Sequence, residues 1–305
     1  MKRDIVFCFI ILAGLSARAA DWSSRDGVDF GVTSNANLTK DNPVADEYVR
    51  LTSSNSMKAG SHFLGFRLSY ADYFKESQND SLSLKLSDSY QTTTPWKVNA
   101  AIVSRIYTQT NPGTTDTSFT NVGFDVSGSR PFHLIRGLHQ EFEAGYRFRD
   151  YTSIEGRNDH NFFGAISIDK ELSEKLDLGA STEIGLLASS ISDYSRAYIE
   201  IAGSVDYQLP ESWNWSSELS LAENSYTSRT ISTQTVVNQQ RGRRVVGTSA
   251  ALESYLLLTA STEVMRKESQ SFRWGFSLSG MNESSASGSL DFTTADLMAR
   301  LLWNF

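Results

Sequence analysis

Cysteine is almost absent from this 305-residue chain, whose one example is Cys8. It lies inside an N-terminal apolar segment that we expect to be removed, which would leave no thiol for disulfides, metal binding or nucleophilic attack. Long apolar runs are equally scarce, because no other segment approaches the roughly 20 residues of a membrane-spanning helix. Basic residues are outnumbered, with 28 Lys and Arg against 35 Asp and Glu. This acidic balance disfavours nucleic acid as a partner.

The N-terminus has the pattern of a secretory signal peptide. Two basic residues precede an apolar run from Ile5 to Leu15, and Ala17-Arg18-Ala19 gives the small-x-small pattern of a signal peptidase site. The run is too short to anchor the chain in a membrane. We therefore predict a cleaved signal peptide at residues 1–19, followed by a single domain at residues 20–305. Cleavage would remove three basic residues and one acidic residue, which lowers the formal net charge from −7 to −9.

Apolar residues recur at every second position through the rest of the chain. In the clearest segment, from His62 to Phe74, the residues Leu64, Phe66 and Leu68 alternate with small or polar ones. A period of two predicts a β-strand with one apolar and one polar face. Fourteen such segments follow each other at intervals of about 20 residues, and the weakest is near Tyr48 to Ser53. We predict an all-β chain of about 14 strands, or 12 if the first two candidates are dropped.

Connection lengths and aromatic positions also follow a pattern. Counted back from the C-terminus, tight turns such as Pro210 to Ser212 alternate with longer loops such as Asp150 to His160 and Tyr226 to Arg244. A girdle of aromatic rings at strand ends is typical of the headgroup level of a membrane. The aromatic residues at the turn ends are Trp96, Tyr207, Trp213, Trp215, Phe272, Trp274, Trp303 and Phe305.

The last eleven residues repeat the alternation and end on an aromatic ring, with the apolar set Ala295, Leu297, Ala299, Leu301, Trp303 and Phe305. This ending resembles the closing strand of bacterial outer-membrane β-barrel proteins. The resemblance implies a single antiparallel up-and-down transmembrane barrel in the bacterial outer membrane. It also implies that Leu301, Trp303 and Phe305 form an insertion signal read by the barrel assembly machinery. Periplasmic chaperones, outer-membrane lipid and lipopolysaccharide are the other partners that it implies.

A secreted all-β sandwich or jelly roll is the main alternative fold, since its strands also alternate. It would bury the apolar rows in a core, and it would not need aromatic belts at the strand ends. The alternation, the even number of strands and the girdle together favour the barrel.

The same alternation assigns a set of charged residues to the inner face of the predicted barrel. Buried ions need water or partners, and a barrel of 14 strands leaves room for water. We therefore predict a passive, porin-like channel for small polar solutes, in which arginines face carboxylates. A salt-bridged interior with no continuous path is the alternative. The predicted lumen-lining residues are Arg67, Arg105, His139, Glu141, Glu143, Arg147, Arg149, Glu183, Arg196, Glu200, Glu218, Asp296 and Arg300.

Two other classes of function stay open at this point. A non-conducting binding, adhesion or structural barrel could use Arg241, Arg243 and Arg244 of the longest loop to hold lipopolysaccharide phosphates. An outer-membrane hydrolase is disfavoured: Asp159-His160 lies in a predicted loop, but adjacent loop residues usually point apart, and no second carboxylate pair is evident nearby. We predict no enzyme activity, no cofactor and no metal site, since no cluster has the spacing of metal ligands.

Overall fold

The computed structural model describes residues 22–36, 43–107, 120–240, 243–285 and 291–305, and of residues 231–240 and 243–251 it describes the backbone alone. The predicted signal peptide lies outside these residues and stays a prediction. In the described ranges no helix is both long and apolar enough to cross a membrane. The strands are β1 Trp22–Thr33, β2 Asp46–Ala59, β3 His62–Tyr73, β4 Ser81–Gln91, β5 Lys97–Tyr107, β6 Asn121–Phe132, β7 His139–Tyr151, β8 Asn158–Ser173, β9 Leu176–Ser189, β10 Arg196–Gln208, β11 Trp213–Gln240, β12 Arg243–Lys267, β13 Phe272–Ser285 and β14 Phe292–Asn304.

These strands form one closed antiparallel barrel in which each strand pairs with its neighbours along the chain. The barrel closes where β1 pairs with β14, from Arg25 opposite Asn304 to Thr33 opposite Asp296. Closure pairs the backbone groups of both terminal strands and so removes the open sheet edges. The prediction of 14 strands is confirmed, and the alternative of 12 is wrong. Strand β2 gave a weak sequence signal because outward positions such as Ser53 are polar.

Short and long connections lie at opposite ends of the barrel. The end that we call the turn end carries the connections 60–61, 92–96, 133–138, 174–175, 209–212 and 268–271. In the tightest predicted turn, Glu211 and Ser212 both have positive φ, of 59° and 64°. Two such residues give the turn a twist that matches the flanking strands, so the predicted Pro210 to Ser212 turn is confirmed. We call the opposite end the loop end.

A long β-hairpin extends the loop end beyond the other strands. Strand β11 has 28 residues and β12 has 25, and their pairing continues to Gln240 opposite Arg243. The prediction of a loop from Tyr226 to Arg244 is therefore wrong. The segment is polar, which is typical of loops, but its Thr, Val and Ile residues are β-branched and favour extended backbone. Arg243 and Arg244 belong to β12 with their side chains undescribed, while Arg241 lies outside the described residues.

A second predicted loop is shorter than expected. Strand β8 begins at Asn158, so Asp159 and His160 belong to a strand and not to a loop. Successive strand residues point to opposite faces, and the two side chains therefore lie on different sides of the barrel wall. Asp159 pairs with Arg157, whereas the Nδ1 atom of His160 lies 2.6 Å from the Tyr146 hydroxyl. The two cannot activate one water molecule together.

The outer face of the barrel is apolar along the strands and aromatic at the turn end. Side chains such as Ile184 and Leu297 are 57% exposed, so the apolar rows are not buried in a core. This exposure rules out the β-sandwich. At the turn end, Trp213 packs edge-on against Trp274 with ring centroids 5.2 Å apart, and other rings continue the girdle along β13 and β14.

The strand with the predicted insertion signal completes this outer face. Leu301 lies opposite Val28 of β1, and Trp303 packs against the Phe272 ring at 5.5 Å. The Phe305 ring is 64% exposed, and its backbone N–H donates to the Ser24 carbonyl over 2.9 Å. These residues are presented to the surroundings of the barrel, and their reading by an assembly machinery stays a prediction.

Candidate functional site

Contacts between strands that are not neighbours identify the inner face. Arg147 on β7 reaches Glu183 on β9, and Arg300 on β14 reaches Glu263 on β12. Side chains can cross over an intervening strand in this way only on the concave side of a barrel. These two ion pairs fix which side chains point inwards. From them, the pairing register places all thirteen predicted lumen residues, from Arg67 to Arg300, on the inner face.

One cluster on this face joins β7, β8, β9 and β10. The Arg147 guanidinium donates to both carboxylate oxygens of Glu183, at 2.7 and 2.9 Å, and stacks 3.7 Å from the Phe163 ring centroid. The Tyr198 hydroxyl donates to Glu183 over 2.6 Å, and Asn161 donates to that hydroxyl over 3.1 Å. A bidentate arginine pair with these added hydrogen bonds has little freedom. The cluster is therefore a rigid part of the wall.

Two further arginines of the predicted set are also neutralised. Arg149 donates to Asp125 on the neighbouring strand over 2.6 Å. Arg300 donates to Asp29 on β1 over 2.9 Å and also to Glu263 on β12. Like the Arg147 pair, these contacts join neighbouring or next-neighbouring strands. Among the side chains that the structure describes, no ion pair connects opposite walls of the barrel.

Other predicted residues have no ion-pair partner in the described part of the chain. On the basic side these are Arg67 and Arg105, and on the acidic side they include Glu200 and Glu218 on adjacent strands. An ion on the inner face without a partner of opposite charge needs water around it. These residues therefore favour a hydrated interior over a dry, salt-bridged one.

The charges of the inner face are separated by sign. On strands β3 to β5 the charged residues of this face are all basic, namely Arg67, Lys85, Lys97 and Arg105. On strands β8 to β12 they are mainly carboxylates, with Arg196 as a basic exception, and include Asp169, Asp177, Glu183, Glu200, Asp206, Glu218 and Glu263. In a closed ring of 14 strands, β4 and β11 lie seven places apart and thus on opposite walls. The interior has a basic wall facing an acidic wall.

Sequence reasoning missed several members of this arrangement. Lys85 lies between Leu84 and Leu86, and Asp29 lies between Val28 and Phe30, so the alternation places both inward. Glu263, which binds Arg300, precedes the outward Val264 in the same way. The alternation of apolar and polar residues was visible at all three positions. These residues add to the charged residues of the inner face, which still include both signs.

The remaining predicted residues of the inner face lie towards the two ends of the barrel. His139, Glu141 and Glu143 lie on the inner face of β7 near the turn end, and Arg196 and Asp296 lie on that face near the loop end. The described residues contain no group of three His, Cys, Asp or Glu side chains that could hold a metal ion. Binding of lipopolysaccharide by Arg241, Arg243 and Arg244 stays a prediction.

Comparison with known proteins gives the fold and no family. No family model matches the sequence, and no curated protein matches it. Among solved structures, OprB of Pseudomonas putida aligns with a TM-score of 0.50 at 6% identity, over 93% of this chain and 94% of that one. The channel DcaP of Acinetobacter baumannii aligns with a TM-score of 0.49 at 8% identity, over 93% and 96%.

A third solved structure, an anion-selective porin from Comamonas acidovorans, aligns with a TM-score of 0.47 at 7% identity, over 93% of this chain and 98% of that one. At such low identity these likenesses concern the backbone architecture only. The chain has the fold of the bacterial outer-membrane β-barrels.

Proposed function

We propose that this protein is an outer-membrane channel that passes small polar solutes and ions through its interior without energy input. The observation that carries this proposal is the separation of charge across the inner face. A basic wall on β3 to β5 faces an acidic wall on β8 to β12, and several charges of each wall lack an ion-pair partner in the described residues. Opposed walls of this kind create a field across the path of a solute and keep that path hydrated.

A closed, salt-bridged interior is less consistent with the contacts. The arginine pairs of the inner face, such as Arg147 with Glu183 and Arg149 with Asp125, run along the wall between strands at most two places apart. They stiffen the wall and leave the space between opposite walls free of ion pairs among the described side chains. A 14-strand ring is also wider than the 8-strand rings that side chains can fill.

Insertion in the outer membrane is part of the same proposal. The exposed apolar rows and the aromatic girdle at the turn end supply the outer surface that lipid requires. The predicted signal peptide would deliver the chain across the inner membrane, and the predicted insertion signal on β14 would present it to the assembly machinery.

Ion conductance in a planar lipid bilayer is the direct test of the channel. We expect the refolded protein to conduct ions, because unpaired charges hold water on both walls of the interior. A folded barrel should also migrate differently from the boiled chain in SDS gels, and this mobility controls for correct refolding. Folded protein that conducts no ions across several lipids and voltages would contradict the proposed function.

Removal of two acidic charges should change ion selectivity. In the variant Glu200→Gln/Glu218→Gln, we expect the chloride-to-potassium permeability ratio to rise about five- to thirtyfold at low salt, since the two carboxylates together contribute about 1 kcal/mol, of opposite sign for the two ions, at ~8 Å in water. The measurement is the reversal potential in a salt gradient. The matched control is Glu211→Gln/Glu223→Gln, which removes the same charge from a turn and from the outer face of β11. Equal shifts in both variants would show that the acidic wall does not line the path.

A further inference from the structure

We propose a binding site for phosphate groups at the turn end of the interior, formed by Arg25, Arg67, Lys85 and Arg273. The proposal rests on the channel function above and names a class of solute for it, namely small phosphate-bearing anions. The four residues come from β1, β3, β4 and β13, so the site exists only in the closed barrel.

A polar cavity of about 650 Å³ contains the four cations. Its lining holds no Asp or Glu side chain, although the chain as a whole is acidic. Neutral hydrogen-bonding groups also line it, among them the hydroxyls of Ser54, Ser56 and Ser87 and the amide of Asn304, and Phe66 and Phe305 add apolar surface. A space this large admits a hydrated phosphate or a small phosphate monoester.

The strand register brings three of the cationic positions into one row. Arg25 lies opposite Ser54, Ser54 lies opposite Arg67, and Arg67 lies opposite Lys85. Residues directly opposite each other on antiparallel strands have Cα atoms about 4.5–5.5 Å apart, so the side chains of Arg67 and Lys85 start close together. Like charges that lie directly opposite each other on adjacent strands are destabilising. A bound anion would offset this repulsion, which indicates a binding role for the row.

The hydrogen bonds of these residues leave their charges uncompensated. Arg67 donates from Nε to the Ser54 hydroxyl over 3.2 Å, and Arg25 donates from Nε to the Asn304 side-chain oxygen over 3.1 Å. The Nε atom of Arg273 is buried without a hydrogen-bond partner. None of the four cations forms an ion pair with the described residues. The terminal N–H groups of Arg25 and Arg67 are thus free for an anion.

Phosphate is the anion that fits this set of donors. Its tetrahedral oxygens can accept paired N–H groups from arginine forks, an ammonium from lysine and hydroxyls from serine at the same time. Chloride cannot use the planar forks in this way. Three other arginines of the inner face, Arg147, Arg149 and Arg300, are poor candidates, because they already bind carboxylates.

Phosphate binding to the folded protein in detergent tests the site. Using equilibrium dialysis with inorganic phosphate at low ionic strength, we expect saturable binding to the wild-type protein and binding at least about tenfold weaker to Arg67→Gln/Lys85→Gln. The control Lys170→Gln/Lys175→Gln removes the same charge at the turn end, from the outer face of β8 and from the 174–175 turn. It should bind phosphate as the wild type does. All variants are first checked for the folded mobility in SDS gels.

The outcomes separate this site from the channel itself. Phosphate should also reduce the chloride current of the wild type in a bilayer, and glycerol phosphate should do the same if a monoester fits. Conductance with no phosphate binding would overturn the site and leave the channel standing. Phosphate binding in detergent without conductance would support the site and contradict the channel. Equal loss of phosphate binding in both double variants would show that net charge alone determines binding, and it would contradict the proposed site.

Discussion

Replacement of Arg300 by alanine is expected to destabilise the folded barrel by about 3–5 kcal/mol, because two carboxylates lose their shared cation. Arg300 binds Asp29 across the pairing that closes the barrel and also binds Glu263 on β12. The Asp29 side chain is 3% exposed, so water cannot replace the lost guanidinium. A buried carboxylate without a partner disfavours the folded state.

Urea denaturation of the detergent-solubilised protein measures this effect. The control is Arg266→Ala, whose partner Glu268 is 52% exposed and whose loss should cost less than about 1 kcal/mol. The double variant Asp29→Asn/Arg300→Met should recover part of the stability, since it removes the charge at both ends of the pair. If Arg300→Ala unfolds at the same urea concentration as Arg266→Ala, the closing pair does not hold the barrel together.

Replacement of Arg157 should have an effect of similar size at the loop end. Its side chain is fully buried, binds Asp159 at 3.2 and 2.7 Å, and lies between the rings of Tyr151 and Tyr194, at 4.1 and 3.6 Å. Arg157→Ala leaves Asp159 buried without this cation and removes both ring contacts. We expect a loss of about 3–5 kcal/mol in the free energy of unfolding.

A double-mutant cycle distinguishes this pair from general damage to the loop. Arg157→Ala/Asp159→Ala should cost less than the sum of the two single changes, because it removes both charges together. Arg157→Lys should restore little, since a lysine cannot form the two-point contact or stack as a planar group. Additive single effects in urea denaturation would show that the two residues act independently.

Much of the fold can be predicted from the sequence, because the alternation of apolar and polar residues indicates which face of the sheet each residue occupies. That one property was enough to place residues as far apart as Arg67 and Arg300 on the inner face, and it applies equally to Lys85 and Asp29. It failed where outward positions are polar, as in β2, and where a polar hairpin is rich in β-branched residues, as in β11. Composition indicated a loop there, while local backbone preference favoured a strand.

Partner choice could not be predicted in the same way. Asp125 lies directly opposite Arg147, but Arg147 binds Glu183 two strands away. Asp125 instead binds Arg149. Such choices depend on the tilt and stagger of the strands, which one sequence does not specify. Arg157 is a second case, since its contact with Tyr194 joins two separate loops and depends on how they pack.

Among the strand pairings of the barrel, the closing pairing of β1 with β14 costs the most chain entropy. Every other pairing joins strands that follow each other in the chain, so each can form through a local hairpin. Arg25 and Asn304, which meet at closure, are 279 positions apart. A chain that has formed all its hairpins and not this last pairing would have two unpaired edges, both of them open to other chains. The ion pair of Arg300 with Asp29 therefore stabilises the least local contact of the barrel. At this contact the entropy cost that an added interaction must offset is largest.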